Sequence, residues 1–213
     1  MSFFLCVIFV DMIITYVIIG VTCLASYYCL NNRTLFNQLA HNPYMEVQHG
    51  QYHRVLSGGF LHGSMMHLGI NMYVLYQFGG IIEQYFSVKY GSLGPTLYIA
   101  FYLAAIIFAN LGSLVRQQNN PGFSSIGASG VTSALILFYV FFEPWQMFAF
   151  PPLPAIVLAV LYIGYSHWAS YQSGNRIDHQ GHLWGALFGV LFVIIFDQRL
   201  FSHFLEKVTQ LPF

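Results

Sequence analysis

Six stretches of this chain are long and apolar enough to read as membrane helices, at about 7–30, 65–86, 95–116, 126–142, 152–171 and 180–197. Crossing a hydrocarbon core of roughly 30 Å takes about 20 helical residues. Backbone groups that face lipid need hydrogen bonds within their own segment, so helices are the natural state of these runs. Breakers separate them: Gly91, Gly94 and Pro95, then Asn119, Asn120, Pro121 and Gly122, then Pro144, Pro151, Pro152 and Pro154, and finally Ser173, Gly174 and Asn175. Composition agrees. The 213 residues are 57% hydrophobic and only 7% charged, against roughly 25% charged in a soluble domain. Seven basic and seven acidic side chains cannot cover a soluble surface, so much of this one must face a lipid bilayer. The balanced charge argues against nucleic acid as a partner. The expectation is an all-α, polytopic, integral membrane protein, one domain over 1–213, in the cell (inner) membrane if the host is bacterial.

The apolar N-terminus lacks a basic leading region, and its apolar character continues from Ser2 to about Leu30 without a clear cleavage site. It therefore reads as a first transmembrane helix and not as a secretory signal. Asp11 interrupts it and is expected near one interface. Cys6, Cys23 and Cys29 have neither metal-ligand spacing nor a disulfide framework, and read as thiols within that helix. Residues 31–64 are polar and aromatic and too long for an ordinary connection. A partly membrane-embedded first loop with short helices is expected there. Orientation is not decided by charge. Lys89, Arg199 and Lys207 fall on the side of the termini, and Arg33, Arg54, Arg116 and Arg176 on the other.

Polar residues inside membrane helices are costly and tend to mark function. In the even-numbered segments they form a pattern. His67 and Asn71 are four apart and share a helix face. Ser129 stands among Gly127, Ala128 and Gly130, and His182 stands beside Gly181 and ahead of Gly185 and Gly189. At about 1.5 Å per residue, Ser129 lies roughly 20 Å from the far end of its segment, His182 roughly 21 Å and Asn71 roughly 18 Å. Even-numbered spans begin on the same face of the membrane, so these residues share one layer about 10 Å below it. The glycines at 181, 185 and 189 form a smooth ridge for close helix contact, and Gly127 and Gly130 do the same at the start of the fourth segment.

Such a layer has a chemistry. A serine hydroxyl becomes a nucleophile when an adjacent base takes its proton, and a buried neutral histidine suits that role. With no acid in the same layer of the fourth or sixth segment, Ser129 and His182 would act as a dyad. An oxyanion formed on a substrate carbonyl needs preorganised donors. The Ser129 N–H and the His67 and Asn71 side chains are the candidates. No metal site, nucleotide loop or cofactor signature is evident, and hydrolysis of this kind needs none.

These residues resemble a known family. Gly127-Ala128-Ser129-Gly130 resembles the G-x-S-G motif of rhomboid intramembrane serine proteases. His62 to Glu83, with Gly79-Gly80-Ile81-Ile82-Glu83, resembles the family's second helix, and Gly181-His182-Leu183-Trp184-Gly185 with Gly189 its sixth. The likeness covers roughly 50–197. It implies a six-transmembrane-helix bundle, with Ser129 as nucleophile, His182 as base, and His67, Asn71 and the Ser129 amide as oxyanion hole. It also implies structural roles for Arg54 and Glu83, and other transmembrane proteins as substrates. Where some members carry an aromatic ring on the catalytic histidine, four residues after the serine, this chain has Ser133. What steadies His182 is therefore left open. Two further functions compete: a catalytically weak or inactive rhomboid-like binder of membrane clients, and a small transporter using the polar layer as a substrate site.

Overall fold

The computed structural model describes residues 12–148, 152–171 and 178–210. Cys6, Asp11, Pro151, Ser173, Gly174, Asn175 and Arg176 lie outside them. The described residues are helical apart from turns, loops and two isolated bridges. A first helix, α1 (Ile13–Asn31), leads into a compact loop of three short helices, α2 (Arg33–Leu39), α3 (Pro43–His49) and α4 (His53–Ser57). Next come α5 (Met65–Val74), a π-helical segment at Leu75–Gly79 and α6 (Gly80–Tyr90), which run on from one another. After a tight 3-10 turn the chain returns as α7 (Gly94–Gln117). It then forms α8 (Ser129–Val140), α9 (Ala155–Ala169), α10 (His179–Phe196) and α11 (Gln198–Thr209).

Among the described residues, three helical stretches are long and apolar enough to cross a membrane: Ile13–Asn31, Met65–Gln117, which the turn at Gly91–Leu93 folds back on itself, and His179–Phe196. Ser129–Val140 and Ala155–Ala169 are apolar but shorter. The fourth segment, expected at about 126–142, is helical over a shorter stretch. Its helix starts only at Ser129 and ends at Val140. Residues ahead of it are tied to the first loop instead. Ser125 bridges His41, and the Gly127 N–H donates to the Gly58 carbonyl at 3.0 Å. Gly127 has φ +119°, outside helical space and open mainly to glycine. The helix cannot begin earlier, and Ser129 falls in its first turn.

The expected loop helices are present and firmly held. The Arg54 guanidinium, 6% exposed, donates to the Asn37 and Ala40 carbonyls at 2.6 and 3.1 Å and to Gln51 Oε1 at 2.7 Å. His41 bridges Glu46 (2.7 Å) and the Ser113 hydroxyl of α7 (2.8 Å). At the other end of the molecule, Glu83 of α6 accepts from the backbone N–H groups of Ile14 (3.0 Å) and Thr15 (2.8 Å). It thus satisfies donors at the start of α1 that lack an intrahelical partner and adds negative charge where the helix dipole favours it.

Close approach of α10 to α8 depends on glycine. A Cβ on Gly185 would fall on the Gly130 backbone, and one on Gly189 on the Ala134 backbone. Gly181 differs, since its nearest neighbour is the Asp178 side chain. One element went unforeseen. The amphipathic α11 folds back so that Phe201 and Phe204 pack on Phe141. Asp197 accepts from the Leu200 N–H at 3.1 Å and pairs with Tyr85 and Lys89 of α6.

Candidate active site

The end of the bundle that carries the first loop holds a cavity of about 610 Å³. His67 and Asn71 reach it from α5, Ser129 and Thr132 from α8, Tyr162 from α9, and Asp178 and His182 from the start of α10. All four residues of the expected polar layer therefore line one space. Ser129 also borders a second, narrow pocket of about 20 Å³ with Asn110, Ser125 and Asp178, room for about one water molecule.

Each group is placed by identifiable contacts. Ser129 opens α8, so its N–H is one of the donors that a helix start leaves without an intrahelical acceptor. The turn before it is fixed by His62, a fully buried ring whose Nε2 accepts the Ala128 N–H at 3.3 Å while Nδ1 meets the Ser26 hydroxyl at 3.0 Å. Because Nε2 accepts, Nδ1 carries the proton and the ring is neutral. Burial, with the neighbouring His67 adding to it, pushes the His62 pKa down to about 3. The ring of His67 stands edge-on to His62 at 4.9 Å between centroids. A Cβ on Gly127 would lie 2.8 Å from the His67 ring, so this glycine is required by space as well as by its φ. Asn71, 5% exposed, donates one hydrogen to the His67 carbonyl at 2.9 Å and accepts from the Thr132 hydroxyl at 3.2 Å. Its second amide hydrogen is left for another acceptor.

His182 lies under Tyr162, with ring centroids 6.0 Å apart and planes 24° from parallel. The two aromatics considered from sequence are elsewhere. Trp184 packs on Gly112 and Phe108 of α7, and Tyr139 on Phe78, Phe142 and Phe148. Among the described residues, no hydrogen bond joins Ser129 Oγ to the His182 ring. Such bonds are often long in unliganded sites and tighten on the substrate.

Sequence reasoning passed over four residues here. Asp178 caps α10 by accepting from the Gly181 N–H (2.9 Å), while its buried Oδ2 has no hydrogen-bond partner among the described residues. Its signal was an acid immediately before a helix. His62, Thr132 and Tyr162 carried none beyond residue type. Among the described residues, no group of three His, Cys, Asp or Glu side chains could hold a metal ion.

A polytopic helical bundle with a polar cavity at one end, a glycine-flanked serine and a histidine on a glycine ridge defines a class of membrane protein. The comparisons name it. The Rhomboid domain profile matches residues 49–199, and the chain belongs to the rhomboid family. It is an integral, multi-pass membrane protein. It is 29% identical over 151 residues to RHOMBOID-like protein 12, mitochondrial, of Arabidopsis thaliana, covering 64% of this chain and 44% of that one. It is 28% identical over 176 residues to the human Presenilin-associated rhomboid-like protein, mitochondrial, covering 76% and 41%. It is 29% identical over 170 residues to Rhomboid protease GlpG of Haemophilus influenzae, covering 79% and 81%. The chain thus spans less than half the length of the two mitochondrial relatives.

Proposed function

We propose that this chain is an intramembrane serine endopeptidase that cleaves transmembrane segments of other membrane proteins. The observation that carries the reading is the single cavity lined by Ser129, His182, His67 and Asn71 from three helices. Ser129 Oγ attacks the scissile carbonyl as His182 takes its proton. The oxyanion is held by the Ser129 N–H, the His67 ring and the free Asn71 amide hydrogen. His182 then gives the proton to the leaving amine, and a water, activated by the same base, releases the acyl group. No cofactor enters. The dyad reading keeps His182 without a hydrogen-bonded carboxylate.

On this reading 1–213 is one domain with six spans, α8 and α9 being the short ones, and the loop end is the face from which substrates are cut. Arg54, Glu83, Gly127, Gly130, Gly185 and Gly189 support the site without touching substrate. In a bacterial cell the membrane of residence would be the inner one. The Haemophilus relative's name, a protease, agrees with the activity. The competing reading, a weak or inactive binder of membrane clients, draws on the missing Ser129–His182 hydrogen bond. Purified protein in vesicles with a model transmembrane substrate separates them. The protease reading expects a cut fragment from the wild type and none from Ser129→Ala, whereas client binding without any fragment would favour the binder.

A further inference from the structure

The position that leaves His182 without support in the sequence is also the one that explains how it is supported. Ser133 lies one turn after Ser129 on α8. Its hydroxyl donates to the Ser129 carbonyl at 2.7 Å. That uses its one hydrogen, so the contact of 2.5 Å between Ser133 Oγ and the Tyr162 hydroxyl has the tyrosine as donor. Tyr162 is thereby anchored at its tip, and its ring lies over His182, 6.0 Å away and 24° from parallel. A continuous chain runs from the backbone of Ser129 through Ser133 and Tyr162 to the ring of His182, joining α8, α9 and α10.

The geometry points to Tyr162, held by Ser133, as the positioning residue for His182. This deepens the protease reading and rests on it. Residue 133 is small and carries no ring, and the tyrosine whose hydroxyl it holds, from α9, is the ring that lies on the histidine. The stack does two things. It restricts rotation of an imidazole to which, among the described residues, no carboxylate is hydrogen-bonded. It also presents an aromatic face to the ring at the moment it becomes imidazolium, and a cation within about 6 Å of such a face is attracted to it. The gain is larger for the protonated base than for the neutral one, so it acts on turnover more than on substrate binding.

The test uses the full chain in vesicles with a model transmembrane substrate. Tyr162→Leu should lower kcat by about 10–100-fold, as expected for a displaced catalytic group, with KM within about threefold. Tyr162→Phe, which keeps the ring and loses its anchor, should lose less than about tenfold. Adding Ser133→Tyr to Tyr162→Leu brings an aromatic back from α8 and should restore at least part of kcat, a rescue that a merely structural tyrosine would not show. Unchanged kcat in Tyr162→Leu, or a loss confined to KM, overturns the inference while leaving the protease reading intact. A second readout does not depend on activity. NMR of ring-labelled histidine should show the His182 ring protons losing the ring-current shift of the stacked tyrosine in Tyr162→Leu. An unmoved His182 signal means the stack is absent and overturns the proposal even if the protein cleaves nothing.

Discussion

The two ends of the bundle are built differently. Away from the first loop, Phe86, Phe101, Phe138 and Phe192 interlock with centroids 4.9–6.2 Å apart. The rim there is closed by Lys89 and Tyr85 on Asp197 and by Lys207 on Glu143. At the loop end the interior is polar and specific. His41 joins Glu46 to Ser113, His62 joins Ser26 to the Ala128 amide, and Asn71 meets Thr132. Large rings that fill space make the interior of one end, with ion pairs and the Glu83 carboxylate at its margin. Hydrogen bonds that fix orientation around a cavity hold the other. In lipid, where apolar burial gives helices little reason to associate, packing and hydrogen bonds carry assembly. This molecule divides the two tasks along its length, so stability and geometry should respond separately to substitution.

The largest separation is expected at the base. His182→Ala should lower cleavage by ~10⁴–10⁶-fold while the thermal midpoint stays near that of the wild type. Retained turnover would refute the dyad. The converse substitution at the packed end is Phe138→Ala, a fully buried ring. It should cost about 3–5 kcal/mol of stability, read by denaturant titration, with kcat close to wild type in the molecules still folded. A selective loss of kcat there would show that the two ends are not independent. Asn71→Ala should be milder than His182→Ala, about 10²-fold in kcat, because two other oxyanion donors remain.

The smallest effect is a pH dependence at His62. Unfolded, this histidine takes up a proton below its ordinary value near 6.5, whereas the folded ring resists protonation down to about 3. The unfolded state then binds more protons between those values. Stability is full above about 6.5 and falls as the pH drops towards 3. Midpoints measured at pH 7.5 and 5 should differ less in His62→Gln than in the wild type. An equal difference in both would assign the acid lability to other groups.

Much of this was legible beforehand, and the reasons differ by region. Hydropathy marks the apolar helices because lipid imposes one simple requirement. The family was legible because Gly127–Gly130, His62–Glu83 and Gly181–Gly189 occur in order, and the profile match over 49–199 covers the range of that resemblance. The start of α8 was not legible, since it depends on Gly127 bonding to Gly58, far away in sequence. Tyr162 was not legible either. In an apolar segment one tyrosine looks like another, and only the packing of α9 shows which faces His182. α11 went unseen because apolar runs end near 197 and its pattern is amphipathic. Asp178 could have been found from its capping position.

The central claim is that Ser129 is a nucleophile activated in the cavity it shares with His182. Its most direct test is to treat the purified protein with a fluorophosphonate probe and map the adduct by mass spectrometry. The account predicts a single adduct on Ser129 in the wild type and none in Ser129→Ala. A wild type that takes no label, or labelling that persists unchanged in Ser129→Ala, would contradict it.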